Sequence, residues 1–153
     1  MLRTFSSIAL LAVLATLPVS AARADRPTKD EVVTVVRQAI EFYKVHGRRR
    51  ALAELNRRDG RFARGEDYVD VHDLQGVCRA QPLEPELVGT SRMSDVDAEG
   101  RYWIRDLLRA AAKSSAGWIR YLHTNPVTHK VQDKLSYWQV YDGLIFKAGL
   151  YFD

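Results

Sequence analysis

The stretch Leu135–Phe152, with the sequence LSYWQVYDGLIFKAGLYF, decides the fold class of this chain. Two runs rich in β-branched and aromatic residues, Leu135–Tyr141 and Leu144–Phe152, flank the dipeptide Asp142-Gly143. An Asp-Gly pair between two such runs is a strong signal for a β-hairpin, because it suits the tight turn that joins antiparallel strands. The sequence therefore predicts a pair of antiparallel strands at its C-terminal end.

Three further strands are predicted upstream of this hairpin, and polar turn residues separate them. They are Tyr68–Val71, Val77–Ala80 and Trp118–Leu122. The turns lie at Asp73–Gly76 and at Asn125-Pro126. Because strands joined by short turns pair in the antiparallel sense, the five runs predict one five-stranded antiparallel sheet.

Two helices accompany the predicted strands. Thr28 and Glu31 have the spacing of a capping box, and apolar residues recur at helical spacing after them. Gly47 interrupts this pattern, so one long helix bent at Gly47 and two helices in line fit it equally well. Tyr102–Ser114 predicts a second helix, which follows the proline- and glycine-containing loop Pro82–Gly100. The order of the elements predicts an α+β domain.

Length and composition limit the chain to one ordinary globular domain. Two separate cores within 153 residues would each be too small to bury enough apolar surface. Hydrophobic residues make up 46% and charged residues 27%, which excludes a disordered or fibrous chain. A single cysteine, Cys78, excludes an intrachain disulfide and a multi-cysteine zinc site. We interpret Cys78 as a small buried hydrophobe, because it falls within a predicted strand.

The first 24 residues are typical of a signal peptide. Arg3 gives a positive start, Ile8–Leu17 is an uncharged apolar run, and Ala-Arg-Ala at 22–24 supplies the small-x-small cleavage pattern. The apolar run is shorter than the roughly 20 residues that a membrane-spanning helix needs. We expect cleavage after Ala24, which leaves one exported domain of residues 25–153, periplasmic or secreted, with no transmembrane segment.

The charge of the mature chain is nearly balanced. Without Arg3 and Arg23, 21 of the 23 Lys and Arg remain against 19 Asp and Glu, so a nucleic-acid partner is not expected. Seven arginines cluster around the end of the first predicted helix: Arg48, Arg49, Arg50, Arg57, Arg58, Arg61 and Arg64. We interpret this stretch as a solvated face. The alternative is a ligand-free interaction module that docks through these arginines onto an acidic partner or an anionic lipid headgroup.

Catalytic motifs are absent from the sequence, which has no nucleophile elbow, no zinc-protease motif and no phosphate-binding glycine loop. Asp95, Asp97, Glu99 and Asp106 have the spacing of a calcium loop, but the last position is Asp rather than Glu and no helix enters the loop. We interpret them as carboxylates that cap the following helix. We predict no catalytic residue, metal or cofactor, with an exported hydrolase acting near Asp95 as an alternative.

Aromatic residues with polar tips fall on the predicted strands. They are Tyr68, Trp118, Tyr121, Tyr137, Tyr141 and Tyr151. Such side chains surround small polar ligands in binding pockets, and Lys130 or Lys134 offers a charge for an anionic group. Packing alone also enriches β-sheets in these residues, so a pocket and a plain aromatic core both fit the composition.

Several short motifs follow one another in a characteristic order along the mature chain. They are Tyr68–Gly76 (YVDVHDLQG), Leu87–Gly89 (LVG), Asp97–Gly100 (DAEG), Gly117–Tyr121 (GWIRY), Lys134–Tyr137 (KLSY) and Gly149–Tyr151 (GLY). In this order the chain resembles a single Cache domain of the second type, from the first helix to the end.

The resemblance implies an extracytoplasmic sensor in which a long N-terminal helix packs on a PAS-like antiparallel sheet. It also implies a small-molecule pocket on the sheet, with a small organic acid as the expected ligand. The implied ligand-binding residues are Tyr68, Gln81, Trp118, Tyr121, Lys134 and Tyr137. Gln81 stands where the family often has a histidine. Because nothing follows Asp153, we expect signalling through a separate partner, such as a membrane-bound sensor kinase or chemoreceptor.

Overall fold

A computed structural model describes residues 26–152, and the predicted signal peptide lies outside them. Helix α1 spans Lys29–Leu55 and helix α2 spans Trp103–Ala111, with one 3-10 turn at Pro85–Leu87. The strands are β1 (Ala63–Arg64), β2 (Asp67–Tyr68), β3 (Asp70–Asp73), β4 (Cys78–Ala80), β5 (Ala116–Thr124), β6 (Val131–Tyr141) and β7 (Leu144–Phe152). No helix within the described residues is long and apolar enough to cross a membrane.

Five strands form one sheet in the order β4-β3-β7-β6-β5, and every neighbouring pair is antiparallel. This confirms the predicted α+β class, the five-stranded antiparallel sheet and the short second helix. The hairpin predicted from Asp142-Gly143 is also present, with φ values of 49° and 71° at these two residues. Such a turn needs positive φ at both central positions, which Asp and Gly tolerate.

Two predicted strand boundaries are wrong. Tyr68 belongs to β2, which pairs with β1 in a separate two-stranded sheet, and the main sheet begins only at Asp70. Strands β5 and β6 extend further toward their connecting turn than predicted, and they pair from Ala116–Gln139 to Thr124–Val131. The added positions include polar residues, such as Gln132 and Asp133, and the sequence pattern does not indicate a strand there. Backbone pairing with the neighbouring strand holds them in the sheet.

The capping box at the start of α1 is confirmed. The Glu31 amide donates to Thr28 Oγ1 at 3.2 Å, and the Thr28 amide donates to Glu31 Oε2 at 2.7 Å. Gly47, at φ 76° and ψ 163°, kinks the helix, and helical structure continues on both sides of it. Glycine suits this position because side chains with a Cβ rarely adopt positive φ.

The sheet is covered on both faces, and α1 packs on one of them. The core on that face includes Val32, Val36, Ile40, Val71, Phe146 and Leu150. The core on the other face, which carries α2, includes Trp103, Ile104, Leu107, Tyr121, Trp138 and Ile145. Since side chains alternate along a strand, successive residues of β7 enter opposite cores. Both faces of β7 are therefore buried.

Candidate ligand site

A cavity of about 500 Å³ lies on the face of the sheet that α1 does not cover. Asp70 and His72 of β3 and Lys147 of β7 form part of its floor, and Asp70 lies directly opposite Lys147 in the strand register. Residues of the loop between β4 and α2, including Glu84 and Asp95, form a facing wall. A cavity of this size holds a small molecule rather than a macromolecule.

A buried ion pair joins two strands at the floor of the cavity. Lys147 Nζ donates to Asp70 Oδ1 and to the Tyr121 hydroxyl, each at 2.9 Å. Burial alone raises the pKa of Asp70 and lowers the pKa of Lys147. Their mutual attraction outweighs burial, so that the pKa of Asp70 is lowered and the pKa of Lys147 is raised. Both groups therefore carry their charges at neutral pH.

Lys134 is the second buried lysine of this face, and its surroundings are different. Its ammonium donates to the hydroxyls of Tyr68 at 2.8 Å and Tyr151 at 2.9 Å, and it lies 4.3 and 4.5 Å from the centroids of their rings. No carboxylate of residues 26–152 comes within ion-pairing distance of it. Burial, and then the charge of Lys147, lower the pKa of Lys134 to about 7.

A glycine makes room for this lysine. Gly149 pairs with Ser136 in the register of β6 and β7, next to the pair Lys134–Tyr151. A Cβ at Gly149 would clash with the Ser136 hydroxyl and would also lie 2.9 Å from the Leu135 carbonyl oxygen and 3.0 Å from Lys134 Cε, so a larger residue would force these groups to shift. The motif Gly149–Tyr151 thus supports the buried position of Lys134.

His123 extends the hydrogen-bond chain from Lys134 into the cavity wall. Its Nδ1 lies 3.0 Å from the Tyr151 hydroxyl, which is itself 3.2 Å from the Tyr68 hydroxyl. Burial and the nearby charge of Lys134 hold the pKa of His123 well below its ordinary value, so the imidazole stays neutral. Both His123 and Tyr68 line the cavity and connect it to Lys134.

The acidic loop is engaged in local contacts. Asp95 forms an ion pair with Arg92, and Asp97 Oδ1 accepts hydrogen bonds of 2.9 Å from the amides of Glu99 and Arg101. The predicted capping of α2 is wrong, because its N-cap residue Tyr102 has no side-chain cap and Asp97 closes its own turn instead. No cluster of His, Cys, Asp and Glu in the described part of the chain is arranged to hold a metal ion.

The structure brings four of the six predicted site residues to the cavity face. Tyr68 and Gln81 line the cavity. Tyr121 and Lys134 lie behind the lining, and hydrogen bonds connect them to Lys147 and Tyr68, which line it.

Trp118 and Tyr137 are not brought to the cavity. Tyr137 belongs to the core that packs against α1. The centroids of the Trp118 and Tyr137 rings lie 5.4 Å apart, so Trp118 is on the same face. The ammonium of Lys29, at the start of α1, lies 5.7 Å from the Trp118 ring. Both residues stand an odd number of positions from Tyr121 and Lys134 on their respective strands, so alternation turns them to the other face.

Several cavity residues were not predicted. They are Asp70, His72, Trp103, His123 and Lys147. The sequence does contain a signal for two of them: Asp70 lies between Val69 and Val71, and Lys147 interrupts an otherwise apolar run. A charge within a fully buried strand needs a partner of opposite sign, so these two residues were candidates for a pair.

Two further predicted features, the buried Cys78 and the cluster of arginines, lie outside the hydrogen-bond network of Lys134 and Lys147. Cys78 is buried, as predicted, and burial raises the pKa of its thiol to about 12. The seven clustered arginines are all exposed, as a solvated face requires. Two of them, Arg57 and Arg61, lie near the carboxylate of Glu54, with N–O distances of 3.5 and 3.7 Å.

The sequence profile of the family described as Single Cache domain 2 matches residues 44–144. The chain belongs to this family. Cache domains are sensor modules that bind small molecules, and this one is similar to the periplasmic ligand-binding domains of chemoreceptors. The comparison with curated proteins gives no match.

Solved structures share the fold of this Cache domain. One is a Cache chemosensory domain described for its recognition of carboxylic acids, at 24% identity and a TM-score of 0.71 over 81% of this chain and 92% of that chain. A methyl-accepting chemotaxis protein from Vibrio parahaemolyticus RIMD 2210633 has 21% identity and a TM-score of 0.70, over 82% and 88%. A periplasmic sensor domain of a chemotaxis protein has 24% identity and a TM-score of 0.63, over 81% and 90%.

Proposed function

We propose that this Cache domain is an exported sensor that binds a small carboxylate in the cavity and signals through a separate partner protein. The observation that carries the proposal is Lys134, a buried ammonium whose hydrogen bonds go to two tyrosine hydroxyls. Its pKa of about 7 means that the protonated form is costly in the ligand-free protein. An anion bound at Tyr68 supplies the missing negative charge.

The hydrogen-bond chain gives the ligand a donor. Because the Tyr68 and Tyr151 hydroxyls accept from Lys134, each is left with its own proton to donate. Tyr151 donates to His123 Nδ1 in the tautomer that leaves this nitrogen unprotonated, and Tyr68 then donates into the cavity. A carboxylate oxygen is the acceptor that gains most here, because charge-assisted hydrogen bonds are stronger than neutral ones.

Binding without turnover agrees with the chemistry of the cavity. Cys78 and His72 are paired residues in the register of β3 and β4, and both line the cavity. A thiol with a pKa of about 12 is not a nucleophile at neutral pH. Asp95, the residue that a hydrolase would use, is held by Arg92. These observations favour a binding module over the exported hydrolase.

A thermal-shift panel tests the proposal. Acetate, propionate, butyrate, lactate, pyruvate and succinate are each added to the mature protein near neutral pH. At least one is expected to raise the melting temperature, because a ligand at a hundredfold excess over its Kd stabilises the native state by about 2.7 kcal/mol. That corresponds to a rise of roughly 10 °C for a domain of this size.

The control for the panel is the set of primary amides of the same acids. An amide has the shape of the acid without its charge, so it should leave the melting temperature unchanged. A panel without any thermal shift, or amides that stabilise as well as the acids, would refute the proposal.

A further inference from the structure

Four carboxylates line the cavity, and three of them already have strong partners. Asp70 is bound by Lys147, Asp95 forms its ion pair with Arg92, and Asp97 accepts from backbone amides. The fourth, Glu84, lies next to the 3-10 turn, in the wall that faces the sheet. It is the carboxylate that the protein leaves available to a ligand.

Glu84 has no cationic partner among residues 26–152. Its one hydrogen bond is a long contact of 3.5 Å from Gln81 Nε2. The side chain is half-buried. Burial and then the charge of Glu86 raise its pKa, and the charges of Lys134 and Arg92 offset only part of that rise. Lys134 likewise has no carboxylate at ion-pairing distance within residues 26–152. Lys134 behind the cavity and Glu84 in its wall are therefore groups of opposite charge that each lack an ion-pair contact within the described residues.

We infer that the ligand of this cavity is zwitterionic, with an ammonium group for Glu84 in addition to the carboxylate for Lys134. The inference rests on the proposed function and names the ligand class more narrowly. An amino acid with its carboxylate near Tyr68 and its ammonium toward Glu84 neutralises both groups at once. The volume of about 500 Å³ accommodates an amino acid of a few carbons.

Glu84 also acts against other acids. A plain monocarboxylate leaves Glu84 uncompensated beside a newly bound negative charge, and a dicarboxylate adds a second charge of the same sign. Repulsion of this kind discriminates between ligands as effectively as a favourable contact does. Glu84 thus favours ligands that carry an ammonium group, while Tyr68 and Lys134 bind the carboxylate.

Matched pairs of ligands test this inference by calorimetry. The pairs are glycine and acetate, alanine and propionate, and 4-aminobutyrate and butyrate, which differ only in the ammonium group. We expect the amino compound of at least one pair to bind at least tenfold more tightly than its plain acid. In the Glu84→Gln variant its affinity should fall at least tenfold, so that the preference disappears. Glu41, which is exposed on α1 at the other face of the sheet, provides the control variant Glu41→Gln, which should behave as wild type.

The outcomes separate this inference from the proposed function. If plain acids bind as tightly as their amino partners in every pair, or if Glu84→Gln leaves the preference intact, the ligand is not selected by its ammonium group and the inference fails alone. If no member of any pair binds but another acid of the panel does, the inference again fails alone. If no member of any pair and no acid of the panel binds, the proposed function fails with it.

Discussion

The Lys147→Met variant is expected to lose about 3–5 kcal/mol of folding stability, because it leaves the buried carboxylate of Asp70 without its counter-charge. Methionine fills a similar volume, so the loss reflects the unpaired charge rather than a cavity. For a domain of this size the melting temperature should fall by roughly 10–20 °C. Urea denaturation of the two proteins at neutral pH measures the difference.

Two further variants define what this loss means. Lys113→Met removes an exposed lysine just beyond α2 and should leave stability within about 0.5 kcal/mol of wild type. The double variant Asp70→Asn with Lys147→Met removes both charges, so it should recover part of the loss of the single variant. A loss below about 1 kcal/mol for Lys147→Met would contradict the buried ion pair.

The Lys134→Met variant is expected to behave in the opposite way. Its free energy of unfolding should stay equal to that of wild type or rise, because the ammonium it removes is buried without a carboxylate partner. Its affinity for the ligand found in the panel should fall about tenfold to hundredfold, the cost of losing a charged partner in a desolvated site. Denaturation and calorimetry on the same preparation measure both quantities.

Lys130 provides the matched control for this experiment, since it lies exposed in the turn between β5 and β6. The Lys130→Met variant should retain the stability and the affinity of wild type. The interpretation of Lys134 as the ligand's counter-charge fails if Lys134→Met destabilises the domain as strongly as Lys147→Met does. Unchanged affinity in the Lys134→Met variant would contradict it as well.

Local patterns predicted the elements of the fold that depend on neighbouring residues. The capping box at Thr28 and the hairpin at Asp142-Gly143 each need only a few consecutive side chains, and both are present. The division of Tyr68 from Asp70 into different sheets was not predictable in this way. It depends on the pairing of β1 with β2 and on the hydrogen bond from the Val69 amide to the Phe62 carbonyl.

The site was only partly predictable because its partners are far apart in sequence. Asp70 and Lys147 are separated by 77 positions, and no local pattern connects them. Lys134 and Lys147 are the same residue type in neighbouring strands, yet one has a carboxylate partner and the other has hydroxyls. Only the packed sheet distinguishes them.

One error was avoidable from the sequence itself. Lys134 and Tyr137 stand three positions apart on one strand, as do Trp118 and Tyr121 on another. Residues an odd number of positions apart face opposite sides of a sheet. No single cavity on one face can therefore take both members of either pair, so alternation excludes Trp118 and Tyr137 from a cavity that takes Tyr121 and Lys134.

Proton uptake on ligand binding tests the central claim, that a bound carboxylate neutralises Lys134. In the free protein Lys134, with a pKa of about 7, is mostly neutral at about pH 8. A bound anion favours the protonated form and raises this pKa, so binding takes up a proton. Affinity for the acid should consequently fall as the pH rises above 7, while His123 remains neutral throughout.

The measurement is calorimetric titration of the panel's best ligand in two buffers of different ionisation enthalpy. The account predicts an uptake close to one proton per ligand at about pH 8. It predicts little uptake at about pH 5.5, where Lys134 is already protonated, and none at either pH in the Lys134→Met variant. Binding at about pH 8 without proton uptake, or with the same uptake in Lys134→Met, would contradict it.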